Sequence, residues 1–193
     1  MALDFNFTEE QRMLEDSVLK WAQAWLEPQM EHMYEVDEMP PTFFKETGNL
    51  GINGIVFEEK YGGSALGYVE TLLAYETVAR VSNALSMTLG ASQTLCFDNF
   101  RRNASEEMKM DILPKSCTGE YIGCLGITEP NAGSDAMSMA TKAVKKGDKW
   151  IINGSKIFIT SGDNDLYENM VHPVLARIEG DPEGTKGISI FVV

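Results

Sequence analysis

Hydrophobic residues recur at intervals of three and four near the start of the chain. They are Leu14, Val18, Trp21, Ala22 and Trp25. This spacing places them on one face of a helix. Thr8 and Gln11 have the spacing of a capping box, in which the two side chains satisfy free backbone amides at a helix start. Pro28 is predicted to end or kink this helix, because proline cannot donate a backbone hydrogen bond.

The same periodicity predicts further helices up to about residue 115. They cover residues 41–51, 68–80, 83–101 and 105–114, with a glycine-rich connector over 51–67. Ser105 is a suitable N-cap and is followed by acidic residues, which favour a helix N-terminus. Leu113-Pro114 is predicted to end the last helix. The first part of the chain is therefore predicted to be helical.

After Gly119 the pattern changes to alternation and β-branched residues, which predict strands. The segments with this pattern are 121–128, 150–152, 157–160, 171–178 and 187–193. Lys149 to Lys156 is interpreted as a hairpin with Asn153-Gly154 in its tight turn. The predicted fold class is α+β. An all-helical domain, residues 1–118, is followed by a β-barrel-like, antiparallel middle domain, residues 119–193.

Composition and charge disfavour several functions. The 193 residues include 29 acidic and 16 basic side chains, a formal charge of -13, whereas a nucleic-acid surface needs excess basic residues. The N-terminus lacks the features of a secretory signal, and no stretch of about 18 apolar residues is present. We expect a soluble cytoplasmic or matrix-type protein that binds neither nucleic acid nor a membrane.

Several common catalytic and binding motifs are missing. The sequence has no Gly-x-Gly-x-x-Gly, no Walker-type loop and no defensible Ser-His-Asp set. His32 and His172 are interpreted as structural or surface residues. Cys96, Cys117 and Cys124 have no Cys-x-x-Cys spacing, so they are expected to be buried, reduced thiols rather than metal ligands.

The segment Thr128-Glu-Pro-Asn-Ala-Gly-Ser-Asp135 carries the most chemical information. Pro130 and Gly133 bound a loop that can turn its amides toward a ligand, and Thr128 and Ser134 supply hydroxyl groups. A protein that binds a flavin must present such donors to the ring. A tight turn between two strands explains the same residues equally well, so the residues alone leave both interpretations open.

Comparison of several segments resolves this choice. Thr128 to Asp135, followed by Asn153-Gly154-x-Lys156-x-Phe158-Ile159-Thr160, resembles the middle-domain signature of FAD-dependent acyl-CoA dehydrogenases. Similar segments occur in the same order along essentially the whole chain: Glu58-Glu59-x-Tyr61-Gly62-Gly63, Glu106-Glu107-x-Lys109 with Leu113-Pro114, and Lys186-Gly187-Ile188-Ser189-x-Phe191-Val192-Val193. Their collinearity makes the resemblance specific.

The resemblance implies a set of binding residues. Leu125, Ile127 and Thr128 would contact the flavin ring, and Gly133 and Ser134 would lie at the flavin pyrophosphate and the acyl-CoA entrance. Phe158, where many members have Trp, would cover a face of the isoalloxazine ring, with Ile159 and Thr160 beside it. The helix over 83–101 is interpreted either as part of the acyl pocket, through Met87, Leu89, Thr94 and Leu95, or as ordinary core.

Two departures from the family pattern matter. Ser161 replaces the usual Asn, and the acidic segment over 162–170 is longer than in typical short members, as in the larger members with a C-terminal extension. The substrate class is therefore expected to differ from a simple short-chain one. Nothing in the 193 residues resembles the family's C-terminal helical bundle, which carries the catalytic Glu. No catalytic residue is therefore assigned.

The resemblance implies α,β-dehydrogenation of acyl-CoA thioesters, with electrons passed to an electron-transfer flavoprotein. Full-length members are expected to be homo-oligomers, and the FAD adenine end involves the missing bundle. The 193 residues alone are expected to be inactive and to bind FAD weakly. The sequence also allows a fragment of an acyl-CoA oxidase or related flavoenzyme, and a non-catalytic acyl-binding or partner-binding module on the same fold.

Overall fold

The computed structural model describes residues 6–162 and 169–193. The chain divides into two compact units between Tyr121 and Ile122. The first unit is helical and the second is built from β-strands. The predicted α+β class, with its helical unit before its β unit, is confirmed.

Helix α1, Glu9–Trp21, begins as the capping box predicts. The Gln11 amide donates to the Thr8 hydroxyl at 3.2 Å, and the Thr8 amide donates to the Gln11 side-chain oxygen at 3.0 Å. Val18 on this helix is fully buried. A π-helical turn, Ala22–Leu26, and a 3-10 turn that contains Pro28 separate α1 from the next helix, Met30–Val36, so the predicted interruption at Pro28 is confirmed.

The remaining helices agree with the periodicity except α2, which was not predicted. They are α2, Met30–Val36; α3, Phe43–Asn49; α4, Tyr68–Ala79; α5, Asn83–Gly90; α6, Asp98–Asn103; and α7, Glu106–Cys117. A π-helical segment, Ala91–Phe97, joins α5 to α6. Among the described residues, no helix is long and apolar enough to cross a membrane.

The predicted end of α7 at Pro114 was wrong, because the helix continues to Cys117. A proline removes one backbone donor, but the turns on either side of it can still form. The Thr118 amide donates to the Pro114 carbonyl at 3.2 Å, which carries the helical hydrogen bonding past the proline. Leu113 and Ser116 are fully buried, so tertiary packing favours the extra turn.

The second unit contains a small ladder and a larger sheet. The strands are β1, Ile122–Gly123; β2, Lys142–Lys146; β3, Lys149–Asn153; β4, Met170–Val171; β5, Pro173–Ile178; and β6, Ile188–Val192. β1 pairs with β4 in parallel, and the larger sheet has the order β3-β2-β5-β6. Because β2 and β5 are parallel while the outer pairs are antiparallel, the predicted antiparallel arrangement was wrong, and the sheet is mixed.

One face of the larger sheet forms the core of the second unit. Ala143 on β2 and Ala176 on β5 are fully buried on this face. Trp150 and Phe191 project from the two outer strands on the same face, and their ring centroids lie 5.2 Å apart. The two rings therefore close over the small alanines. Within the described residues β3 and β6 remain edges, so the sheet is not a closed barrel.

The predicted turn at Asn153-Gly154 was wrong. The hairpin turn is Gly147-Asp148, because Lys146 pairs with Lys149 across β2 and β3. Gly147 has a φ of 65°, the left-handed conformation that such a turn needs at its first position and that glycine adopts without strain. Both dipeptides are good turn formers, and pairing with β2 decides between them.

Two other strand predictions were also wrong. The strand predicted over 121–128 is shorter than expected, and the strand predicted over 157–160 is absent. Only Ile122–Gly123 forms a regular strand in the first segment, with an isolated bridge from Gly126 to Val174. Residues 157–160 form no strand, and Phe158 there has a φ of 59°. An extended strand cannot contain that conformation.

Gly154 has a packing role instead of a turn role. A Cβ atom at this position would lie 2.1 Å from the Thr141 hydroxyl oxygen and 2.7 Å from the Thr141 Cα atom. We expect Gly154→Ala to lower the free energy of unfolding by about 1–3 kcal/mol, because backbone and side chain would have to move. Gly133→Ala is the control in urea unfolding, since a Cβ there meets no atom within 4 Å. Equal stability of the two variants would contradict the prediction.

Candidate functional site

The segment from Ile122 to Gly126 runs alongside residues 169–175 of the second unit. The amides of Ile122, Cys124 and Gly126 donate to the carbonyls of Asn169, Val171 and Pro173 at 3.2, 3.1 and 2.8 Å. In an extended segment, successive residues direct their backbone groups to opposite sides. The backbone groups of Leu125 and Ile127 therefore face away from this ladder.

Three backbone amides between Leu125 and Thr128 remain open, and those of Leu125 and Ile127 lie on that outer edge. Among the described residues, the amides of Leu125, Ile127 and Thr128 donate to no acceptor. The Ile127 carbonyl accepts from Lys156, and the Thr128 carbonyl accepts from the Ile157 amide at 2.9 Å. Leu125, Ile127 and Thr128 are each partly exposed, so a ligand can reach this segment.

Glu129 fixes the start of the Thr128–Asp135 loop. Its amide and the Ala132 amide donate to each other's carbonyls at 3.0 and 3.1 Å, which closes a tight turn. Its carboxylate accepts from the amides of Ala140 and Thr141 at 2.6 and 3.0 Å, and from the Lys156 ammonium at 2.8 Å. The Glu129 side chain is only 4% exposed. The loop is therefore anchored by one buried anion.

The electrostatics of this anchor favour the charged carboxylate. Burial raises the pKa of Glu129, but the hydrogen bonds from Lys156, Thr141 and Ala140 outweigh burial and hold its pKa at about 2, against an ordinary value of 4.5. Lys156 also donates to the Ile127 carbonyl at 2.9 Å. The Lys156 ammonium therefore binds both the Glu129 carboxylate, which anchors the loop, and the backbone of the segment with the open amides.

The segment over 156–160 provides the second wall of the site. Phe158 is 87% exposed, which is unusual for a large aromatic ring, and its left-handed backbone turns the chain sharply. Ile159 is partly buried, whereas Thr160 is exposed. The segment borders a depression of about 420 Å³ in the second unit, lined by Cys124, Gly126, Lys156, Ile157, Phe158, Ile159, Gly162, His172 and Val174.

The structure brings some of the predicted site residues together and leaves others apart. Hydrogen bonds join Ile127 and Thr128 to Lys156 and Ile157, immediately before Phe158. Gly133 and Ser134 lie on the exposed loop just beyond the Glu129–Ala132 turn. These placements do not test a ligand contact, so the assigned binding roles remain predictions.

The residues considered for an acyl pocket belong to the first unit and differ in exposure. Leu89 is fully buried, whereas Met87 and Leu95 are 67% and 54% exposed. Leu89 is therefore core, as one of the two sequence interpretations states. The side chains of Met87 and Leu95 are exposed and can therefore contact a ligand or another protein surface.

Glu129 and Lys156 are the residues that sequence reasoning missed. Both residues occur in the motifs described above, but no function was assigned to either of them from the sequence. Buried charges in proteins are paired, but no local pattern in the sequence shows that these two residues are buried. The sequence does not reveal that the two meet across 27 residues.

The three cysteines are buried, as predicted. Burial raises the pKa of the Cys124 thiol to about 11, so it is protonated at neutral pH and is not a nucleophile. The predicted similarity of residues 162–170 to the larger family members falls mostly on 163–168, outside the described residues. That expectation stays a prediction.

Comparison with protein families matches nearly the whole chain. Residues 8–120 match the model for the acyl-CoA dehydrogenase N-terminal domain, and residues 124–193 match the model for the acyl-CoA dehydrogenase middle domain. The chain belongs to the acyl-CoA dehydrogenase family. The resemblance stated from the motifs is confirmed.

Individual family members are also similar. The mitochondrial isovaleryl-CoA dehydrogenase of Pongo abelii is 41% identical over 97% of this chain and 44% of its own length. The butyryl-CoA dehydrogenase structure from Megasphaera elsdenii is 32% identical, with a TM-score of 0.89 over 99% of this chain and 50% of its own. A glutaryl-CoA dehydrogenase from Mycobacterium smegmatis, solved in complex with FADH2, is 30% identical, with a TM-score of 0.86 over 97% of this chain and 46% of its own.

The chain spans about half the length of these acyl-CoA dehydrogenases. The described part aligns with their N-terminal and middle domains in the same order. The helical unit and the mixed β unit are therefore family features rather than an accidental likeness.

Proposed function

We propose that this chain forms the flavin wall and part of the acyl-CoA site of an FAD-dependent acyl-CoA dehydrogenase. The observation that carries the proposal is the row of open amides at Leu125, Ile127 and Thr128 beside the exposed ring of Phe158. A flavin ring needs donors along one edge and an apolar surface on one face. The two walls of this site supply both.

The residues present fit the cofactor. Leu125, Ile127 and Thr128 would donate to the ring, Phe158 would cover one of its faces, and Ile159 and Thr160 would lie beside it. Gly133 would let a pyrophosphate approach the loop backbone closely, since the space around its Cα is open. Ser134 would offer its exposed hydroxyl to the pyrophosphate or to the substrate.

FAD, when bound, supplies the acceptor for the hydride that leaves the acyl chain. The residues of this chain bind and orient the cofactor and exclude water from one side of it. Donors that stabilise negative charge on the substrate carbonyl favour removal of the neighbouring proton. We assign no proton-abstracting residue to the 193 residues.

We propose an acyl-CoA thioester as the substrate and an electron-transfer flavoprotein as the electron acceptor. The named relatives act on isovaleryl-CoA, butyryl-CoA and glutaryl-CoA, which share the thioester but differ in the acyl group. The full-length protein is proposed to be a homo-oligomer. Similarity to these relatives supports an acyl-CoA thioester as the substrate class but does not specify the acyl group.

Titration of the 193-residue chain with FAD tests the flavin site directly. We expect weak but saturable binding, seen as a change in flavin fluorescence, because only part of the contact surface is present and the entropy of association must still be offset. Riboflavin, which lacks the pyrophosphate and adenosine, is the matched ligand control. Absence of saturable FAD binding would contradict the proposal.

Phe158→Ala is expected to weaken FAD binding by about 5- to 10-fold, since an aromatic contact contributes on the order of 1 kcal/mol. Phe158→Trp should retain the affinity because it preserves the stacking surface. Ile190→Ala is the control, since Ile190 is also exposed but lies on β6. Equal affinities of the Ala and Trp variants would argue against a ring contact.

The 193 residues alone are expected to show no acyl-CoA dehydrogenase activity. The reason is that they contain no assigned general base for the α-proton. The measurement is dye reduction with butyryl-CoA, isovaleryl-CoA and a long-chain acyl-CoA under FAD saturation. Substrate-dependent reduction above the rate with free FAD would contradict this prediction.

A further inference from the structure

Lys156 joins the two walls that we assign to FAD. Its ammonium donates to the Ile127 carbonyl at 2.9 Å and to Glu129 Oε1 at 2.8 Å. Its side chain is only 12% exposed, so water screens these contacts little. The neighbouring Ile157 amide donates to the Thr128 carbonyl at 2.9 Å. Lys156 therefore lies at the junction of both walls.

The contact with Ile127 has an electronic consequence. The Ile127 carbonyl and the Thr128 amide belong to the same peptide group. A cation bound to the carbonyl oxygen polarises that group and makes its N–H a stronger donor. The Thr128 N–H has no acceptor among the residues that the structure describes, so it is available to a ligand.

We propose that Lys156 is a positioning residue that makes the site favour reduced FAD over oxidised FAD through the Ile127–Thr128 peptide. This inference rests on the proposed FAD site. Reduced flavin carries more negative charge than oxidised flavin, so a strengthened donor stabilises the reduced form more. Glu129 is the other charged partner of Lys156, and the amides of Ala140 and Thr141 share its charge.

The test compares the dissociation constants of oxidised and reduced FAD for the 193-residue chain. Anaerobic equilibrium dialysis measures both, and the FAD is quantified after reoxidation. In Lys156→Met, affinity for the reduced form should fall about tenfold more than affinity for the oxidised form. This ratio equals a reduction potential lower by about 30 mV for a two-electron couple. Lys142→Met, at an exposed lysine on β2, should leave the ratio unchanged.

Two further variants separate the peptide effect from loss of folding and from the charge of Glu129. The double variant Glu129→Gln with Lys156→Met lacks both charges and should still have the lowered preference for reduced FAD. Lys156→Cys treated with 2-bromoethylamine regains an ammonium group at nearly the original position. This treatment should restore the ratio, and treated wild-type chain controls for reaction at the three natural cysteines.

The outcomes distinguish this inference from the proposed function. If wild-type chain binds neither form of FAD, the proposed flavin site itself is wrong. If Lys156→Met weakens both forms equally, Lys156 is only structural and the inference fails while the flavin site stands. A double variant with the wild-type ratio would also overturn the inference, because the effect would then come from the unpaired Glu129 charge.

Discussion

Replacing Glu129 with alanine is expected to lower the free energy of unfolding of the second unit by about 3–5 kcal/mol. The change removes the carboxylate that holds the amides of Ala140 and Thr141. Within the described part of the chain, it leaves the Lys156 ammonium with only the Ile127 carbonyl. A buried cation without its counterion is costly. The effect is large because one buried side chain accepts three separate hydrogen bonds.

Hydrogen exchange of the peptides that span residues 140–157 measures this loss in the second unit alone. Exchange there should accelerate strongly, whereas α1 and α7 in the first unit should change little. Glu179→Ala is the matched control, because Glu179 is an exposed acidic residue of the same unit. A loss below about 1 kcal/mol, typical of a surface ion pair, would contradict the anchoring role.

Acidification is expected to remove about 3 kcal/mol of stability from the second unit through Glu129. The pKa of this carboxyl is about 2 in the folded chain and 4.5 ordinarily, so the unfolded chain binds the proton more tightly. The contribution is complete above the ordinary pKa of 4.5 and is lost as pH falls through about 2.

The measurement is the stability difference between wild-type chain and Glu129→Gln, followed by hydrogen exchange over this pH range. At neutral pH wild type should be the more stable, because the glutamine NH₂ group faces donors that need an acceptor. The difference should shrink toward pH 2, where Glu129 becomes protonated. Glu10, Glu70, Asp98 and Glu106 also have lowered pKa values, but they lie in the first unit. A pH-independent difference would contradict the assignment.

The helical part of the fold was largely predictable because its signals are local. The Thr8 capping box and the apolar stripe of α1 involve residues three or four positions apart, which become neighbours in any helix. The end of α7 was not predictable in this way. Burial of Leu113 and Ser116 outweighed the local signal of Pro114.

The β unit was less predictable because strand pairing joins distant residues. Local dipeptide preference favoured Asn153-Gly154 as the hairpin turn, but pairing of β3 with β2 placed the turn at Gly147-Asp148. The parallel neighbours β2 and β5 are separated by a long connection whose direction the alternation pattern does not specify. The sequence thus predicted that the second unit consists of β-strands, but it did not predict the order and direction of those strands.

The sequence by itself determined the family, because collinear motifs over the whole chain preserve residue order and identity without reference to shape. It also identified the residues proposed to face FAD. Only the tertiary structure decided that Leu125, Ile127 and Thr128 present open amides, and that Glu129 and Lys156 hold them in place. The reason is physical: whether a backbone amide is open depends on which distant segment pairs with its neighbours, and that choice is made by folding.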